Sequence, residues 1–187
     1  LEDACNLAVF AADRIEREHT DTADGLRVWG GLLMSAATSS ARDGDYARAN
    51  EMMNTAEKAA GRLMKLPPTS NGRLVSVFSR SSVRIERVRL AVQHGCPEEA
   101  LSLAKGMRLS RDIPPSWRTW LLLDVARAYT DMGDTENAVR VLERLNHVAP
   151  DWMKHHTLAV TIVRDLWSMP HRPSGLARLA ELLSVNE

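Results

Sequence analysis

The sequence predicts an all-α protein built from antiparallel helical hairpins stacked in a row, and three observations carry that expectation. Apolar residues recur at helical spacing through nearly the whole chain. Alternating Val, Ile or Thr is absent outside residues 75–83, so there is little strand signal. The most specific observation is a phrase that occurs three times between helical stretches: Gly44-Asp45-Tyr46-Ala47-Arg48-Ala49, Gly95-Cys96-Pro97-Glu98-Glu99-Ala100 and Gly133-Asp134-Thr135-Glu136-Asn137-Ala138. In each, the glycine suits the left-handed position that ends a helix. Asp45 and Asp134 then suit the N-cap of the next helix, and Pro97 suits its first turn. The alanine is small where two antiparallel helices cross. Hairpins stacked in this way bury their faces on one another and leave a groove.

The elements follow in order. Residues 1–19 form an incomplete first hairpin, apolar at Leu7, Ala8, Phe10, Ala11, Ala12 and Ile15. A polar turn at Thr20–Asp24 introduces the first full hairpin, about residues 22–64. Its first helix is expected to bury Leu26, Trp29, Leu32, Leu33, Ala36 and Ala37, and its second Ala49, Met52, Met53, Ala56, Ala60 and Leu63. The loop Lys65–Arg73 carries Pro67-Pro68 and Asn71-Gly72, two turn signals that mark a break. The second hairpin covers about 74–108, with helices from Leu74 to His94 and from Pro97 to Arg108. The third covers about 114–148, opened by Ile113-Pro114-Pro115 and stopped by Pro150. One further helix over Asp151–Trp167 and a short final helix over Ser174–Leu183 cap the array.

Composition narrows the function classes. The 187 residues are 44% hydrophobic and 26% charged, the balance of a water-soluble globular chain. Lys+Arg and Asp+Glu both number 24, so the formal charge is zero and the basic excess of a nucleic-acid-binding domain is missing. Apolar stretches fall short of a membrane span. Two distant cysteines, Cys5 and Cys96, fit reduced thiols and a cytoplasmic location. The chain opens on Leu1, which reads as a piece of something longer. Adjacent His155 and His156, with Asp151 four residues before His155, lack a third ligand at a sensible spacing and point to different faces, so a helix-surface pair is expected and no metal. There is no Gly-rich phosphate loop, no Gly-x-Ser-x-Gly elbow and no Cys-His signature. No catalytic residue and no cofactor are expected.

The third hairpin resembles a tetratricopeptide repeat through Ala126, Tyr129, Gly133, Asp134, Ala138 and Pro150, and the first through Ala37, Gly44, Asp45, Ala49 and Ala56. The second is weaker, with Val88 and Met107 at the small positions. A narrower resemblance runs along almost the entire chain. Leu7-Ala8-Val9-Phe10-Ala11-Ala12-Asp13-Arg14, Gly44–Ala49, Ile113-Pro114-Pro115 through Ala128, Ala149-Pro150 and Leu176–Ala180 resemble the C-terminal half of actinobacterial regulators that carry an N-terminal helix-turn-helix of the xenobiotic-response-element type. No helix-turn-helix lies in these residues, so DNA contact is implied only for a domain outside them.

The tetratricopeptide resemblance implies a groove lined by the first helix of each hairpin. That phase selects Met34, Thr38 and Arg42, then Arg89 and Gln93, then Trp120, Asp124, Arg127 and Asp131, with Thr157, Thr161 and Arg164 from the extra helix. Arg89, Arg127 and Arg164 would make a ladder for a carboxylate or phosphate; the alternative is that Arg127 pairs with Asp124 or Asp131 on its own helix. Trp117 and Trp120 either anchor a peptide or pack a helix end. Met34, Thr38 and Ile85 occupy positions where the family's acidic-tail clamp has Lys and Asn, which argues against that ligand. The resemblance thus implies a domain that binds a peptide, protein or small-molecule effector in its groove. The alternatives are a stand-alone interaction scaffold and homodimerisation through the apolar segment Leu158–Trp167.

Overall fold

The computed structural model describes residues 2–67, 77–109 and 113–185. Among these residues there are ten helices and no strand: α1 (Glu2–His19), α2 (Ala23–Arg42), α3 (Tyr46–Leu63), α4 (Arg80–Gln93), α5 (Pro97–Ala104), α6 (Pro115–Asp131), α7 (Thr135–Val148), α8 (Pro150–Lys154), α9 (Thr157–Ser168) and α10 (Leu176–Leu182). The all-helical expectation holds. The turn signals of Pro68 and Asn71-Gly72, and the expected helix start at Leu74, lie outside the described residues.

The three repeated phrases fold alike. Gly44, Gly95 and Gly133 have φ of +87°, +73° and +72°. Each glycine N–H donates to the carbonyl three residues back (Ala41, Val92 and Thr130, at 3.0, 3.1 and 3.0 Å). The next residue donates five back, Asp45 to Ser40, Cys96 to Ala91 and Asp134 to Tyr129, at 3.0, 2.9 and 2.9 Å. This pair of bonds satisfies the last carbonyls of a helix, and a side chain at the glycine would force a strained left-handed residue. Asp45 Oδ1 and Asp134 Oδ1 then accept from the N–H groups of Arg48 and Asn137. Ala49, Ala100 and Ala138 are buried.

The chain divides into two compact units, Leu1–Leu90 with Arg108–Pro114, and Ala91–Met107 with Pro115–Glu187. In the first, α2 packs between α1 and α3. Its core includes Leu26, Trp29, Ala36, Ala37, Met53, Ala56, Phe78, Val83 and Ile85. Leu32, Leu33 and Leu63 are only half-buried, whereas Met34 is buried. The expected face of α1 needs correction. Among its described side chains Cys5 and Ala12 are buried, with the Cys5 thiol 3.6 Å from the Ala36 carbonyl, while Leu7 and Phe10 are 69% and 66% exposed. Small side chains let α1 approach α2 closely, and the larger ones are turned outward. α4 begins at Arg80 because Ser79 and Ser82 cap it reciprocally. Ser82 N–H donates to Ser79 Oγ at 3.1 Å, and Ser79 N–H to Ser82 Oγ at 2.7 Å.

In the second unit α6 packs on α5, α7 and α9, and α10 on α7 and α9. Leu123, Leu142, Leu145, Met153, Ile162, Leu166, Leu176 and Leu179 fill one core. α5 stops at Ala104, short of Arg108, because Lys105 is extended and Gly106 has φ +67°. The single helix expected over Asp151–Trp167 is two. Pro150 ends α7 and also opens α8, whose last turn gives way to an extended His156 (φ −96°, ψ 111°) before α9.

Candidate functional site

Four groove-phase positions lie on one face of α6, since 120, 124, 127 and 131 are spaced by four, three and four residues. The helix enters this stretch after Pro115, with Trp120 in its second turn and Tyr129 in its last. Thr119, Leu121, Leu123 and Ala126 are buried, and Trp120 and Arg127 are half-buried. Asp131 ends the helix on an exposed position.

Arg127 is the centre of an ion network. Its Nη2 donates to Asp131 Oδ1 and its Nη1 to Asp165 Oδ2, both at 2.6 Å. The hydrogen bond donated to Asp131 is the largest cause of a guanidinium pKa raised above its ordinary value, opposed by burial and helped by Asp165. The within-helix pairing to Asp131 was one of the two alternatives legible in the sequence. The second carboxylate, from α9, was not. With two carboxylates bound, Arg127 presents a neutralised or acidic spot in place of the cationic rung of the expected ladder. Arg164, on the other hand, is exposed, and Thr161 Oγ1 donates back to the Thr157 carbonyl at 3.1 Å, as hydroxyls in helices do.

Trp120 sits in a three-ring cluster. Its indole lies edge-to-face with Trp152 at 5.6 Å (76°) and with His156 at 4.5 Å (87°), and Trp152 and His156 are 4.4 Å apart. The edge-to-face arrangement suits the ring quadrupoles. Burial holds the His156 imidazole below the ordinary histidine pKa. Asp124, one turn further along α6, is 3% exposed. It lies in the interior, which corrects its placement on an open groove surface. Trp152, His156 and Asp165 were missed as members of this site. His156 was read as one of a helix-surface pair, and the break between α8 and α9 is what brings it under Trp120.

In the first unit, Thr38 and Arg89 meet at a residue the groove phase did not select. Thr38 Oγ1 donates to Glu86 Oε1 at 2.8 Å, and Arg89 Nη1 donates to Glu86 Oε2 at 3.3 Å. Glu86 is 4% exposed, so the two donors serve as the internal partners a buried carboxylate requires. Met34 is 7% exposed and belongs to the core, a second correction to the groove set. Arg42 is exposed, and so is Gln93 at the end of α4. Arg87 ties α4 to α3 through Asn54 at 2.6 Å and Glu57 at 3.1 Å.

Among the described residues no group of three His, Cys, Asp or Glu is placed to hold a metal ion, and no helix is long and apolar enough to cross a membrane. Comparison with protein-family models, curated proteins and solved structures finds no significant match.

Proposed function

We propose that this chain is the effector- or partner-binding and assembly domain of a helix-turn-helix transcriptional regulator, a tetratricopeptide-like superhelix that does not itself contact DNA. The observation that carries the binding role is the half-exposed row on α6: an indole at Trp120, the Arg127 guanidinium and the Asp131 carboxylate, extended by Trp152 and His156 from α8 and by Asp165 from α9. Aromatic and arginine side chains set side by side are the usual anchors of protein and peptide recognition. The paired carboxylates favour a ligand that carries an amine or guanidinium beside an apolar group. The zero formal charge supports leaving DNA contact to another domain.

A bound effector would regulate only by preferring one arrangement of the attached DNA-binding domains over another. The test is operator affinity of the intact regulator with and without a saturating groove ligand. A change that Arg127→Glu removes supports the reading. Saturable binding with unchanged operator affinity removes the sensor role and leaves an interaction scaffold.

Homodimerisation is the second reading, and a specific observation moves its location. Ile162, Val163 and Leu166 of the Leu158–Trp167 segment are fully buried within their own core, whereas Leu7 and Phe10 on α1 are exposed. Sedimentation of the chain against a Phe10→Glu variant decides this reading, which requires a dimer that the substitution dissociates.

A further inference from the structure

We propose that His156 is a pH-sensitive latch on the joint between α8 and α9, whose protonation drives the ring out from between Trp120 and Trp152 and releases both indoles. The joint is His155-His156, the two residues between the helices. His156 is extended, its N–H donates to the Met153 carbonyl at 3.1 Å, and its own carbonyl starts α9 by accepting from Ala159 at 2.9 Å. The ring therefore leaves the backbone at the point where the helix direction changes, and both tryptophans lie against it.

The imidazole Nδ1 is sealed from solvent and has no hydrogen-bond partner. A neutral ring accommodates this by keeping its proton on Nε2 and a lone pair on Nδ1. Protonation places an N–H at Nδ1 with no acceptor, and a charged donor buried in that way is strongly disfavoured. An imidazolium gains some attraction from the indole faces, but that attraction does not satisfy the Nδ1 proton. The ring also stands at the N-terminus of α9, where the helix dipole opposes positive charge.

The charged and titratable groups on the surrounding elements are Arg118, Asp124, Arg127, Tyr129 and Asp131 on α6, Asp151, Lys154 and His155 on and beside α8, and Arg164 and Asp165 on α9, of which Asp131 and Asp165 are held by Arg127. Burial of the ring lowers the His156 pKa. With the folded pKa below the unfolded one, the latch contributes stability above about pH 6.5 and loses it as pH falls through the lower, folded value.

The test is tryptophan emission of the full 187-residue chain, titrated from about pH 8 to about pH 5. The latch predicts a one-proton red shift with a midpoint below 6.5, absent in His156→Gln and retained in His155→Gln. A midpoint at or above 6.5, or an equal shift in His156→Gln, overturns it. Ring NMR of the unsubstituted chain gives the same decision without a variant. One of the six imidazoles must titrate below 6.5 together with two indole N–H signals, and titration of all six at or above 6.5 contradicts the latch.

Discussion

Arg127 Nη1 donates to Asp165 Oδ2 at 2.6 Å, so a salt bridge spanning 38 residues of sequence pins α6 to α9. The same guanidinium holds Asp131 at the end of its own helix. Arg127→Leu leaves both carboxylates without a cation in a region that solvent reaches only in part. It is expected to lower unfolding stability by about 1–2 kcal/mol. Arg164→Leu, at an exposed position of α9, should stay within about 0.5 kcal/mol. Denaturant titration of the two variants measures the difference, and equal losses would show that the Arg127 network adds nothing.

Two helical glycines should respond in opposite directions to alanine. A Cβ at Gly30 would stand 2.1 Å from the Phe78 ring, which is 4% exposed and hemmed in by the first core. Gly30→Ala is therefore expected to cost about 1–3 kcal/mol through overpacking. Gly61 in α3 has open space around the same position. Gly61→Ala should stabilise by about 0.5–1 kcal/mol, because glycine loses more chain entropy on entering a helix. Melting curves that move the same way for both variants would contradict this packing.

The repeated turns yield a prediction by comparison with one another. Asp45 and Asp134 cap α3 and α7 with their side chains, whereas Cys96 at the matching place before α5 makes no side-chain cap. Its backbone (φ −112°, ψ 67°) resembles that of Asp45 (φ −87°, ψ 72°). Cys96→Ser introduces a hydroxyl able to accept from the Glu99 N–H without adding charge beside Glu98 and Glu99. The expected gain is about 0.5–1 kcal/mol in thermal or denaturant unfolding. A loss of stability would mean that the three turns are not equivalent.

These turns were legible in the sequence because their chemistry is local: a left-handed glycine, a capping residue and an alanine lie within six positions. Partners chosen by helix docking were not. Nothing near Arg127 in sequence points to Asp165, and nothing in the α4 pattern announces that Glu86 is buried beneath Thr38 and Arg89. The outward turn of Leu7 and Phe10 was hidden for a related reason. A small-residue stripe such as Cys5 and Ala12 competes for the interface by close approach, while apolar periodicity weights larger side chains. The break at His155-His156 was missed because neither residue is a helix breaker. The Ser79–Ser82 capping box, in contrast, was available as a signal at the start of α4.

The central claim is that the α6 row is the binding face. Its most direct test is a fluorescence-monitored titration of the chain with amine-bearing apolar peptides and small molecules, repeated on Trp120→Ala and on Leu7→Ser. Recognition through this row requires saturable binding that weakens about tenfold or more in Trp120→Ala and is unchanged in Leu7→Ser. Binding that is indifferent to Trp120, or no saturable binding, would contradict it.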